Sequence, residues 1–136
     1  METVFTRLLN GDLPGAILYK DEQVFAFMDA GQVNPGHVLV ATTHPYKTLM
    51  DADVQTAQAL MALAHRVAKA VQEAYQPEGI TLLQANGKAG WQTVPHVHMH
   101  VVPRYMDDGA ELIWPRKDPD LNILEDYAQT LRPLLV

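Results

Sequence analysis

The chain has 136 residues, which suits a single domain over residues 1–136 with a core large enough to need no staples. A formal net charge of −6 argues against a broad nucleic-acid surface, and the lack of cysteine excludes a disulfide framework and thiolate metal ligands. No apolar run approaches the ~18 residues needed to span a bilayer, and Met1-Glu2-Thr3-Val4-Phe5 lacks the basic start of a signal peptide, so a cytoplasmic protein without membrane contact is expected.

Val4 to Leu9 reads as a short helix, stopped by Asn10-Gly11-Asp12 and then Pro14. Ala16 to Tyr19 is a short strand. Asp21-Glu22 fits a tight turn, and Val24 to Met28 follows as a second strand. Asn34-Pro35-Gly36 is a turn that leads into a third strand, His37 to Ala41. From about Asp53 to Tyr75, apolar residues recur at spacings of three and four, as one face of a long helix requires. Asp51 or Asp53 can cap its start, and Pro77 with Gly79 ends it. Ile80 to Gln84 is a fourth strand, and Asn86-Gly87-Lys88-Ala89-Gly90 a glycine-bearing loop. The fifth strand opens at Pro95 and closes at Pro103. Leu121 to Leu131 reads as a last helix, ended by Pro133. Short strands around one long helix predict an α+β domain with a largely antiparallel sheet.

The fifth strand carries His96-Val97-His98-Met99-His100-Val101-Val102. Successive strand side chains point to opposite faces, so three imidazoles share one face while the apolar spacers face a core. Three chemistries fit. In a metal site, two of the imidazoles would ligate with a third ligand such as His37 or His44. All three converge poorly on one ion, because four strand steps separate the outer Cα atoms by roughly 13 Å. In a structural role, the rings would be satisfied by partners or water. In nucleophilic catalysis on phosphorus, one imidazole nitrogen attacks and the others donate hydrogen bonds or carry protons. The preceding loop suits the last of these. Gly87 and Gly90 let backbone approach an anion, and Gln92 and Thr93 put polar groups at the strand entrance. Asp29 and His37 each also read as residues of a turn or strand end, and His65, near the edge of the helical stripe, reads as structural.

The strand resembles the His-φ-His-φ-His-φ-φ signature of the histidine triad (HIT) nucleotide hydrolases and transferases. Phe5 to Pro14 is similar to the family's opening helix and turn. Val24 to Asp29 followed by Asn34 to Val40 is similar to its ribose-side segment. Gln92-Thr93-Val94-Pro95 and Val102-Pro103-Arg104 flank the triad in the expected order. The resemblance implies an α+β, HIT-like fold: a five-stranded antiparallel sheet, one long helix and a C-terminal helix, with the sheet extended across a homodimer. It also implies a purine nucleotide substrate, a phosphoramidate or a dinucleoside polyphosphate, attacked at the α-phosphate by His98. His96 and His100 are implied as phosphate-contacting and proton-handling partners, and His37 as the fourth histidine. Asp29 is implied at the ribose, with Asn86, Gln92 and Thr93 at the phosphate side. No cofactor is implied as required, although Mg²⁺ could assist with a polyphosphate. A nucleotide-binding module without turnover and a histidine-ligated metalloenzyme are the competing functions.

Three departures from the family pattern stand out. Relatives often carry cysteines near the start that help bind a structural zinc, and with none here no such site is expected. Relatives often place glycine before the phosphate-loop glutamine, where this chain has Trp91, and a polar residue where it has Ala85. The Trp91 ring would narrow the pocket, stack on a base or pack on a partner subunit.

Overall fold

A computed structural model describes residues 1–135. Five strands form one antiparallel sheet: β1 (Ile17–Lys20), β2 (Val24–Met28), β3 (Val38–Thr42), β4 (Gly79–Gln84) and β5 (His98–Arg104), in the order β1-β2-β3-β5-β4. Helices α1 (Val4–Leu9), α2 (Val54–Tyr75) and α3 (Leu121–Leu131) complete the architecture. No described helix is long and apolar enough to cross a membrane.

The period of two in the strands sorts side chains onto two faces. Val24, Ala26, Val38, Val40, Met99 and Val101 face α2, where Leu60, Leu63, Ala64, Val67 and Val71 meet them in the main core. Asp53 caps α2 by accepting from Thr56 N at 2.7 Å, and Gln76 ends it in the left-handed region ahead of Pro77. On the opposite face Phe25, Phe27, Leu39 and Ala41 pack with Phe5 of α1 in a smaller cluster. Pairing register places Leu39 opposite His100 and Ala41 opposite His98, so the histidines extend this second face.

The histidine segment differs from the expected strand at its start. Regular pairing begins at His98, not Pro95. Before it, Val97 donates to the Tyr46 carbonyl and accepts from Thr42 N, while His96 N donates to the Val94 carbonyl in a turn. Gly36 is fixed by crowding as well as by its φ of +102°, since a Cβ there would lie 2.7 Å from the Tyr75 ring. That contact presses the turn before His37 against the end of α2. Helix α3 stands apart, with Leu121, Leu124, Tyr127 and Leu131 exposed.

Candidate active site

Four imidazoles meet on the α1 face of the sheet, and their hydrogen bonds assign their protons. Nδ1 of His98 lies 2.6 Å from the His96 carbonyl. A carbonyl only accepts, so Nδ1 carries the proton and Nε2 keeps its lone pair. His37 accepts from Val33 N–H through Nδ1 at 3.1 Å, so its proton is on Nε2. That proton is directed at Nδ1 of His100, 2.9 Å away, with Oδ2 of Asp29 at 3.3 Å. His100 therefore accepts at Nδ1 and carries its own proton on Nε2. The His98 and His100 rings are 5.3 Å apart, edge to face. One ring offers a bare nitrogen and its neighbour offers an N–H.

Burial holds all four rings neutral at pH 7. His37, His96 and His98 are each pushed below the ordinary histidine value by desolvation, partly opposed by Asp29 at His37 and by carbonyl contacts at the other two. His100 falls furthest, to about 4, through desolvation and then the neighbouring His98 and His37.

His96 departs from its implied contact with phosphate. Its ring is fully buried. Nε2 donates to the Thr42 carbonyl at 2.6 Å, and Nδ1 accepts from the Thr3 hydroxyl at 2.6 Å. Both nitrogens are engaged, so this ring fixes the His96 backbone, whose carbonyl accepts from His98 Nδ1–H, and ties α1 to the sheet. Asn86 and Gln92 differ in the same way. Asn86 accepts from Leu49 N and exchanges amide hydrogen bonds with Gln84. Gln92 accepts from Gly87 N and donates to the Lys47 carbonyl. Both side chains brace the loop. Thr93 stays exposed on the wall of a cavity of about 750 Å³.

Asp29 stands between two further cavities. One, about 270 Å³, is an apolar cleft between α1 and β2, walled by Val4, Phe5, Leu8, Phe27 and Leu39. The other, about 350 Å³, lies on the His37 and His100 side and extends to Arg104 and Glu111. Asp29 also closes its own turn, accepting from Gly31 N at 3.0 Å.

The sequence did not single out Thr3, Phe5, Gln32 or the Val33 backbone. The Phe5 ring lies 4.9 Å from that of His98, edge to face. Gln32 braces the turn by accepting from the Gly36 and His37 N–H groups. Only Thr3 left a local trace, as a Thr-x-x-Thr capping box at the start of α1.

Asp29, His37 and His100 offer three ligand atoms within 4.8 Å of one another. Their protons do not suit a cation. A neutral imidazole that ligates through Nε2 carries its proton on Nδ1, and His37 Nδ1 already receives the Val33 N–H. The donor set fits a proton-bearing relay better than a metal.

The HIT domain family model matches residues 10–107. The chain belongs to the HIT family. A relative in Bacillus subtilis, protein hit, is 34% identical over 112 residues, covering 82% of this chain and 77% of the relative. The purine nucleoside phosphoramidase of Escherichia coli is 32% identical over 102 residues, covering 74% of this chain and 86% of that one. The crystal structure of a HIT family member from B. subtilis superposes with a TM-score of 0.92 at 29% identity, covering 100% of this chain and 99% of that one. A zinc-bound histidine triad family protein from Mycobacterium smegmatis is 33% identical with a TM-score of 0.74, covering 98% and 92%.

Proposed function

We propose that this HIT protein is a nucleotidyl hydrolase or transferase that cleaves a nucleoside phosphoramidate or a dinucleoside polyphosphate at the α-phosphate. The observation that carries this is the proton arrangement: His98 presents a bare Nε2 beside the Nε2–H of His100. The similarity to a purine nucleoside phosphoramidase supports the substrate class. The apolar cleft between α1 and β2 suits a purine, and Asp29 at its end suits ribose hydroxyls. The P–N bond to His98 forms as the bond to the leaving group breaks. The positive charge that develops on the ring is stabilised by the His96 carbonyl on Nδ1–H. His100 donates to a phosphoryl oxygen or to the leaving group. Water then cleaves the P–N bond, returns the lone pair to His98 and releases a nucleoside monophosphate. No step needs a protein-bound metal; with a polyphosphate, Mg²⁺ carried by the substrate would neutralise charge.

The same reading includes a homodimer. Among the described residues β4 is an edge strand with its outer side unpaired, and Leu82 on it is 42% exposed, so a second copy could continue the sheet. Sedimentation at micromolar concentration tests this, with a monomer as the contrary result.

The function is tested by product release from adenosine 5′-phosphoramidate and diadenosine tetraphosphate in chelator, comparing wild type with His98→Ala. AMP release should fall at least ~10³-fold in the variant, with a nucleotidyl adduct trapped on the wild type alone. Nucleotide binding with no AMP release would make the protein a binding module. Activity lost in chelator and restored by zinc would make it a metalloenzyme.

A further inference from the structure

The loop ahead of the histidine strand holds a feature that the nucleotidyl chemistry does not use. Trp91 adopts φ +78° and ψ 16°, the left-handed region that disfavours a bulky L-residue. Glycine would occupy this position without strain. The ring lies nearly parallel to that of Trp114 from the C-terminal segment, at 16° with centroids 6.3 Å apart. Trp91 is 51% exposed and Trp114 63%, so the pair is not there to fill a core, and a further ring can join the stack.

Trp91 also lines the cavity of about 750 Å³ that has Lys47, Lys88 and Thr93 in its wall. No carboxylate lines it, and neither lysine pairs with one among the described residues. The cavity beside His100 differs in charge. Its Arg104 is bound to Asp108 at 2.8 Å and also donates to the Thr81 hydroxyl and the Ala110 carbonyl, and Glu111 lies in the wall. Of these two cavities, among the described residues, only the one beside Trp91 has lysines free of carboxylate partners in its wall.

We infer that Trp91, Trp114, Lys47 and Lys88 form a second subsite, which holds a leaving group carrying both an aromatic ring and phosphates, so that the favoured substrate is a dinucleoside polyphosphate. This rests on the nucleotidyl-transfer reading of His98. In the step it serves, the His98 Nε2–phosphorus bond forms and the bond from the α-phosphorus to the bridging oxygen breaks. The departing nucleoside polyphosphate keeps the electron pair on that oxygen and leaves as an anion that needs no proton. Lys47 and Lys88 offset its charge, and its base stacks on the tryptophans. Water then releases the nucleoside monophosphate from His98, and one proton passes to solvent.

Trp91→Gly tests the subsite without endangering the fold, because glycine relieves the left-handed backbone; thermal unfolding should be unchanged or higher. The ratio of kcat/KM for diadenosine tetraphosphate to that for adenosine 5′-phosphoramidate should fall tenfold or more. A Lys47→Ala, Lys88→Ala double variant should lower the same ratio, mainly by raising KM for the tetraphosphate. An unchanged ratio in both variants overturns the subsite and leaves the nucleotidyl chemistry standing. Wild type that cleaves the phosphoramidate but not the tetraphosphate does the same. Wild type that cleaves neither overturns the nucleotidyl chemistry and the subsite with it.

Discussion

The two ends of the run from His96 to His100 carry the same residue at the same alternation and do different things. At one end His96 is sealed under α1, with both nitrogens bonded to protein. At the other, the His100 side chain is 28% exposed and borders a cavity, bonded to His37 and near Asp29. His98 lies between, buried like the first and carrying one free nitrogen like the second. Alternation places rings on a face. The partners each ring meets decide whether it organises the site or works in it.

The largest test of this contrast is a pair of truncations. His96→Ala opens a cavity and leaves the Thr3 hydroxyl and the Thr42 carbonyl without this partner. It should cost about 3 kcal/mol of unfolding free energy, read by urea denaturation. His100→Ala should cost under about 1 kcal/mol, since the ring is partly solvated, while lowering kcat ~10²-fold or more through loss of the donor. Equal stability losses at the two ends would dissolve the distinction.

Much of this fold could be read from the chain. The α2 stripe was clear because one helical face repeats at spacings of three and four from Val54 to Tyr75. The first four strands matched to within a residue because turn residues such as Asn34-Pro35-Gly36 bound them, whereas the fifth starts three residues later than its sequence suggests. The gathering of His37, His98, His100 and Asp29 came from the resemblance, and the register of β3 against β5 explains it physically. The fate of His96 was not legible. Its partners, Thr3 and the Thr42 carbonyl, are far away in sequence, and no local pattern announces a hydroxyl delivered to a ring by another helix. The loop-bracing contacts of Asn86 and Gln92 were not legible for a related reason. An amide in a glycine-rich loop can bind a ligand or brace the loop, and the bracing partners, Leu49 N and Gly87 N, become visible only in the packed loop. The left-handed backbone at Trp91 was equally hidden, although its neighbour Gly90 hinted at an irregular turn.

Acid should separate native from unfolded chains next. His100 takes up its proton near pH 4 in the fold and near 6.5 when unfolded. Between those values the unfolded chain binds more protons, so stability must fall as pH drops from about 6.5 toward 4 and level off below. For His100 alone the loss is about 3 kcal/mol at most. His37, His96 and His98 shift in the same direction and add to the slope. Urea denaturation at pH 7, 5.5 and 4 measures it, and a flat profile would mean that the rings are already solvated or charged in the fold. Asp29 holds the His37 and His100 values up, so Asp29→Asn should extend the acid limb of activity to lower pH.

The smallest effect isolates the sealed end. Thr3 uses its hydroxyl twice: the oxygen accepts from Thr6 N, capping α1, and the hydrogen goes to His96 Nδ1. Thr3→Val keeps the shape and removes both bonds, for an expected loss of about 1–2 kcal/mol. Thr3→Ser keeps both bonds and removes one buried methyl, for about 0.8 kcal/mol or less. If serine and valine cost the same, the threonine matters for packing alone. If valine costs more and also lowers kcat while serine does not, the hydroxyl reaches the reaction through His96, whose carbonyl holds the His98 proton in place. The helix cap and the nucleophile's tautomer would then be two ends of one hydrogen-bond chain, and α1 would be coupled to the chemistry without touching the phosphate.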